Sequence, residues 1–580
     1  MSRQVLNLGP PATKAGPMQI SLNSHLVEIF QGKSKPNATI PILNREKTII
    51  KLIKSFIVAT TIGLITTLAI LPVWAKPPTD ILVIANRIDD ITTLDPAETF
   101  EFSGGDLSNN IYGRLVNFDH MNLKAGYKGD LAVNWTVSGD GRTIVFKMRS
   151  GVKFHSGNLV TAHDAEYSLR RAVLLNKTPS FILTQFGFNA DNVKERIKAT
   201  ENGTLSITTD KKYAVSFILN CLTANIGGIV DSKVVKAHAD KNDMGNAWLK
   251  THTAGSGAYR LVKWKPNQSY TLQSNPDFYL GAPKMKRVIV RHIQESSTQR
   301  LLLEKGDIDV ARNLSPVDVA GASKIKDIAI DTELRGRLVY FVMNQKNPTL
   351  SKPKVREALK YLADYKGMAN SFLKGQYAVH QAFLPRTYLG AIDDKPYFLN
   401  VAKAKNLLAE AGHADGFEIE IAISQSRTDI AQSLQNTFAL AGIKAKLSIG
   451  NSKQVLSRYR KRDFQIIVGS WGPDYPDPHT NASTFAVNAD NRDEASQSGV
   501  LAWRAAWHIP KMTLVTEAAL IEKDREKRAE LYRALQRDHQ KRSPFAIMFQ
   551  QTKQTGRRSE VKNFNIGAAV TSASYWLVTK

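Results

Sequence analysis

The chain of 580 residues holds a single cysteine, Cys221. One cysteine excludes an internal disulfide and any Cys-based metal cage. Its apolar setting, Phe217-Ile218-Leu219-Asn220-Cys221-Leu222, reads as a small buried hydrophobe, with a catalytic thiol as the other reading. A chain almost without thiols suits an oxidising compartment. No Gly-x-Ser-x-Gly elbow, His-Glu-x-x-His helix or phosphate-cradling Gly-rich loop with Lys occurs, so nothing in the sequence points to an enzyme. There is no internal repeat. No basic run is interleaved with aromatics and no basic recognition helix is evident. Nucleic acid is therefore not an expected partner, despite the net charge of +26.

What is present is a large folded protein. Hydrophobic residues make up 43% and charged residues 22%, a globular balance. Single cores seldom exceed about 250–300 residues, so the length calls for more than one domain. The first 75 residues carry eight Lys and Arg against Glu28 and Glu46, which leaves +20 on the remainder. Arg45, Lys47, Lys51 and Lys54 precede an uncharged, mostly apolar stretch, Ser55–Leu71, and then Pro72-Val73-Trp74-Ala75. That order is the pattern of a cleaved secretory signal peptide over 45–75. A membrane anchor is the alternative, at the lower limit of spanning length. No cysteine follows the cleavage point, so a free protein of a Gram-negative periplasm is expected, beginning near Lys76. Residues 1–44 are read as a leader without fold.

Along the mature chain, Asp80–Ala85 reads as a buried strand, 89 to about 107 as a loop, and 109–116 as a helix ending in a strand. Leu131–Val137 and Thr143–Arg149 form a half-buried hairpin around Ser138-Gly139-Asp140-Gly141. Thr161 and Asp164 make a capping box. Helices are expected at 354–364, at 401–411 closed by Gly412, and at 428–441 closed by Gly442, with strands at 417–423 and 443–449. Strand–helix–strand order argues for an α/β fold. The charged segment 522–537 reads as a solvated surface helix.

The blocks Leu131-Ala132-Val133-Asn134-Trp135, Arg149-Ser150-Gly151-Val152-Lys153-Phe154-His155 and Thr161-Ala162-His163-Asp164 carry a resemblance. So do Gly255-Ser256-Gly257-Ala258-Tyr259, Asn275-Pro276-Asp277-Phe278-Tyr279, Val355-Arg356-Glu357-Ala358-Leu359 and Trp471-Gly472-Pro473-Asp474-Tyr475-Pro476-Asp477-Pro478. In this order they resemble the bacterial extracellular solute-binding protein family 5. The resemblance implies a two-lobed periplasmic-binding-protein fold (type II, a hinged clam) with an extra subdomain. Lobe I would hold 77–115, 254–338 and 545–580, the subdomain 116–253, and lobe II 339–544. It implies a monomer that captures short peptides between the lobes and delivers them to the permease of an ABC importer, without cofactor or metal. Haem, a nickel chelate or another small solute is the alternative ligand.

A free peptide brings an ammonium, a carboxylate and unpaired backbone groups, and each must be matched when buried. The resemblance assigns the ammonium to Asp474, with Asp477 as the fallback, and the carboxylate to Arg427. Turn capping by Asp474 and a surface role for Arg427 are the bland readings. It places Trp471, Gly472 and Tyr475 around Asp474, and Ser103 and Gly104 as main-chain contacts from lobe I. His155 and His163 read as structural. His479 alone lies near the expected cleft.

Overall fold

The computed structural model of the protein describes residues 77–118, 126–565 and 573–580. The leader and signal-peptide expectations lie outside the described residues. The strand Ile81–Asn86 is apolar almost throughout and buried almost throughout. It is parallel to Arg287–His292 on one edge and to Val310–Ala311 on the other. A strand covered on both faces needs a continuous hydrophobic run rather than alternation, and Ile81-Leu82-Val83-Ile84-Ala85 supplies one.

It belongs to an eleven-stranded sheet. The spatial order begins Lys444–Gly450, Glu418–Ser424, Ile466–Trp471, Ile328–Met343. It continues Phe545–Arg558, Val310–Ala311, Ile81–Asn86, Arg287–His292, Ser269–Ser274, Tyr259–Lys265, with Tyr377–Val379 added to Phe545–Arg558 off this path. Two long antiparallel strands, Ile328–Met343 and Phe545–Arg558, join the two halves. Their first shared stretch, Ile328–Leu334 against Thr552–Arg558, adjoins Val310–Ala311 in one half of the sheet. Their second, Leu338–Val342 against Phe545–Gln550, adjoins Ile466–Trp471 in the other half. Between them the register slips: Leu334 faces Thr552 and Leu338 faces Gln550, so Arg335, Gly336 and Arg337 stand opposite the single residue Gln551. A bulge of this kind bends a strand and re-aims its side chains.

Each half has its own apolar core. Tyr259, Tyr270, Val288 and Tyr575 are among the residues of one, and Phe341, Leu359, Leu434 and Phe438 of the other. A separate four-stranded sheet, ordered Ala132–Val137, Thr143–Met148, Thr204–Thr208, Ile197–Ala199, packs beneath the helices Ala162–Leu175 and Val215–Leu222. The hairpin forms where the alternation placed it. Ile144, Phe146 and Met148 face the core. Thr161 and Asp164 make the reciprocal capping box that opens Ala162–Leu175. Gly412 and Gly442 take φ of +79° and +80° after the helices Val401–Glu410 and Thr428–Ala439, the left-handed turn that favours glycine.

Two expectations are corrected. The segment read as a loop to about residue 107 contains a helix, Phe102–Ile111. Glycine and asparagine disfavour a helix, but tertiary bonds hold this one: Asp106 pairs with Arg312, and Asn110 Nδ2 donates to Ala573 O at 2.9 Å. The charged C-terminal segment is a helix, Arg525–Arg542, yet not a solvated one. Arg528, Ala529, Tyr532 and Gln536 are buried along one face, because Arg528 finds a partner in Asp477.

Candidate functional site

The start of the helix Phe102–Ile111, the segment after the strand Ile466–Trp471, and the bulge of Ile328–Met343 converge on one cavity of about 240 Å³. Glu101, Phe102 and Gly105 line it from the helix start, Gly472 and Asp474 from the segment after the strand, and Arg337 from the bulge. Ala224 and Asn225 close it from the side of the four-stranded sheet's helices.

The position of Asp474 is fixed from both sides. Its own N–H donates to Thr480 Oγ1 at 3.1 Å. The next residue, Tyr475, is buried edge-on against Phe217 and donates its hydroxyl to Gln185 Oε1 at 3.3 Å. Three residues on, Asp477 caps the helix Pro478–Phe485 through His479 N–H at 2.8 Å. Asp477 also receives Arg528 at 2.8 and 3.0 Å and Asn220 Nδ2 at 2.7 Å. These anchors leave the Asp474 carboxylate facing the cavity without an ion pair or hydrogen bond among the described residues. Burial without compensation raises its pKa from 3.8 to about 6.

The opposite charge stands across the same cavity. Arg337 lies over the Phe102 ring at 5.7 Å, a cation–π contact. It makes no ion pair among the described residues. Burial and the nearby Arg427 lower its pKa, both by disfavouring the charge. Arg114 also lines the cavity, fully buried, with its guanidinium on neutral oxygens: Ala224 O, Asn109 Oδ1 and Asn225 Oδ1 at 3.2, 2.8 and 2.9 Å. The site thus offers an unpaired carboxylate and an unpaired guanidinium, which complement a zwitterion.

Of the residues expected from sequence, Asp474 and Gly472 line this cavity. Tyr475 does not: its ring belongs to the core beneath the four-stranded sheet. Asp477 is corrected as the fallback, because both its oxygens are consumed by Arg528, Asn220 and His479 N–H in full burial. Trp471 ends its strand half-buried, pairing with Leu338, and its buried Nε1–H has no acceptor. Arg427 is held by Ser470 Oγ at 2.8 Å, close enough to repel Arg337 but outside the lining. Ser103 is not in a loop. It sits in the first helical turn, donating its hydroxyl to Arg87 O at 2.8 Å, and lines a second cavity. Gly104 is beside it, where a Cβ would meet Thr99 Cγ2 at 3.0 Å. Its closest neighbour is thus the protein itself.

Sequence reasoning missed Arg337, Phe102 and Glu101. A charged Arg-Gly-Arg in the middle of a long β run was the available signal for the first. Cys221 is buried as expected. His479 is packed against Phe217, and burial lowers its pKa to about 4. Among the described residues no cluster of three His, Cys, Asp or Glu could hold a metal, and no helix is long and apolar enough to cross a membrane.

Comparison with known proteins agrees with this architecture. Residues 126–493 match the family model described as bacterial extracellular solute-binding proteins, family 5 Middle. The probable D,D-dipeptide-binding periplasmic protein DdpA of Escherichia coli (strain K12) is 28% identical over 499 residues, covering 84% of this chain and 92% of the relative. The structure of HbpA2 from Haemophilus parasuis superposes with a TM-score of 0.74 at 23% identity, over 86% of this chain and 99% of the other. The periplasmic binding protein DppA from Helicobacter pylori, solved with the peptide STSA, gives 0.69 at 22% identity, over 86% and 98%. At these identities the two structures carry the fold alone, and that fold is the two-lobed α/β one.

Proposed function

Because the chain belongs to the bacterial extracellular solute-binding proteins of family 5, we propose that it is a periplasmic receptor that captures short peptides between its lobes and hands them to the permease of an ABC importer. It acts as a monomer, after removal of a signal peptide, and performs no chemistry on its ligand. One observation carries the peptide reading: Asp474 presents a half-buried, unpaired carboxylate to the same cavity that Arg337 enters as an unpaired cation. Two uncompensated opposite charges in one cavity are costly while empty and favourable once a zwitterion bridges them.

In this reading the peptide ammonium sits on Asp474 and its α-carboxylate on Arg337, with Arg427 behind. The ammonium restores the Asp474 carboxylate to its charged form. Closure occurs about the two long strands, which are the main covalent path between the lobes. The peptide-named relative in Escherichia coli supports the same ligand class.

Native mass spectrometry of the purified protein, followed by isothermal titration with dipeptides, tests this. A ladder of short peptide masses and binding lost in Asp474→Asn is the expected outcome. N-acetylation of the dipeptide should abolish binding equally. Binding that survives both changes would refute the role of Asp474, and a single non-peptide mass would refute the ligand class.

A further inference from the structure

The cavity that holds Asp474 has charged groups but also a continuous apolar wall. Phe100, Pro179, Ile182, Ile226 and Pro476 all line it. Ile182 and Ile226 belong to the core beneath the four-stranded sheet, each 2% exposed, and give this wall a packed base. The aromatic residues at its rim are different. Phe100 is 40% exposed and Phe102 57%. Phe181, next to Ile182 in the chain and 39% exposed, packs edge-on against Phe100 with ring centroids 6.0 Å apart. Single exposed hydrophobic side chains are ordinary, but contiguous ones mark a binding surface. Here three large ones adjoin a single cavity.

Most polar groups of the lining are already engaged. Arg114 is held by Ala224 O, Asn109 Oδ1 and Asn225 Oδ1. Thr99 donates its hydroxyl to Asp95 O at 2.8 Å and Thr223 to Asn220 O at 2.7 Å, so neither has a proton to offer a ligand. In the peptide reading, Asp474 and Arg337 take the two termini. What remains is Glu101, whose Oε2 accepts Phe100 N–H at 3.2 Å, and the amide N–H groups of Asn117 and Asn225. A polar side chain laid against Phe100, Ile182 and Ile226 gives up its water for few partners, which is costly. An apolar one covers the exposed rings, which is favourable.

We propose that this wall receives an apolar side chain of the bound peptide, with Phe100, Phe181 and Ile182 setting the preference, so that the solute carried is a short peptide with a large aliphatic side chain rather than any short peptide. The inference rests on the peptide reading above and adds its specificity. The termini fix the backbone of the ligand between Asp474 and Arg337, and the wall selects among side chains by area removed from water.

The test is isothermal titration of the purified protein at several temperatures with Leu-Ala and Ala-Leu, each beside its polar near-isostere, Asn-Ala or Ala-Asn. In at least one pair the leucine form should bind about tenfold tighter or more, with a more negative heat-capacity change, the mark of apolar burial. Phe100 is exposed, so Phe100→Ser should fold, and in it that preference should fall several-fold. Equal affinities with equal heat-capacity changes in both pairs would overturn the apolar specificity while leaving the peptide receptor standing. So would a preference unchanged in Phe100→Ser, or Lys-Ala binding tighter than Leu-Ala, which would give the wall to Glu101. Failure of every dipeptide to bind would overturn the peptide reading and this inference with it.

Discussion

Asp474 and Asp477 are the same residue type three positions apart, and replacing them should have opposite effects. Asp477 is fully buried. Burial pushes its carboxyl up, but Arg528, His479 N–H and Asn220 together hold it below the ordinary value. Asp477→Ala leaves Arg528, 1% exposed, without its counter-charge, a loss of about 3–5 kcal/mol. Asp474 is the reverse case. Its pKa, raised from 3.8 to about 6, corresponds to about 3 kcal/mol against the charged form, at about 1.36 kcal/mol per unit. Partial exposure makes that an upper bound. The folded value lies above the unfolded one, so the unfolded chain releases this proton first. The penalty is absent below about pH 4, grows as pH rises, and is complete above about pH 6. Asp474→Asn removes it. Over the unit Ala75–Lys580, an unfolding entropy of about 2.1 cal/mol/K per residue gives about 1 kcal/mol/K. Asp477→Ala should therefore lower Tm by about 3–5 °C at pH 7, and Asp474→Asn should raise it by about 1–3 °C while abolishing peptide binding. The gain from Asp474→Asn should disappear at pH 4. Scanning calorimetry of the two variants beside the unaltered protein measures all three. A stable Asp477→Ala, or an Asp474→Asn that melts several degrees early, would refute the division between the structural and the ligand-facing carboxylate.

Lys360 is 1% exposed, donates Nζ to Gln540 O at 2.8 Å, and is pushed by burial to a pKa of about 7. The unfolded chain then binds more protons between pH 7 and about 10, so stability rises with pH across that window. Lys360→Met should flatten the slope of Tm against pH there. Cys221 is buried and burial raises its thiol pKa well above the usual value, so a disulfide reagent should label no thiol in the native protein and one in denaturant. Thr161→Ala deletes the reciprocal cap of Ala162–Leu175 and should cost about 1 kcal/mol, read as a lower urea midpoint at unchanged slope.

What could be read from the sequence follows the range of the interactions involved. The hairpin at 132–148, the Thr161–Asp164 box and the glycine stops after Val401–Glu410 and Thr428–Ala439 are local. Their determinants lie within a few residues, and they form where they were placed. The helix Phe102–Ile111 has weak propensity and is held by Ala573 and Arg312, more than 200 residues away. Arg525–Arg542 looked solvated because the partner of Arg528 lies 51 residues earlier. Asp474, singled out within its Trp-Gly-Pro-Asp-Tyr-Pro segment, lines the cavity. The assignment of Tyr475 beside it to the ligand did not hold, because a tyrosine in that segment can equally turn toward Phe217 and the core.

The cation that faces Asp474 was the harder half of the site to read. Alternation along Ile328–Met343 sends successive side chains to opposite faces, which would separate neither Arg335 nor Arg337 from any other charged pair on a strand edge. Only the pairing of both stretches with Phe545–Arg558 exposes the slip, since Leu334 meets Thr552 while Leu338 meets Gln550. The two extra residues are accommodated where the strand passes from one half of the sheet to the other. The cation that shares the cavity with Asp474 is therefore carried by the same backbone irregularity that joins the two halves of the sheet. In the peptide reading proposed above, a change in the angle between the lobes moves Arg337 relative to Asp474, and closure sets the spacing of the two charges.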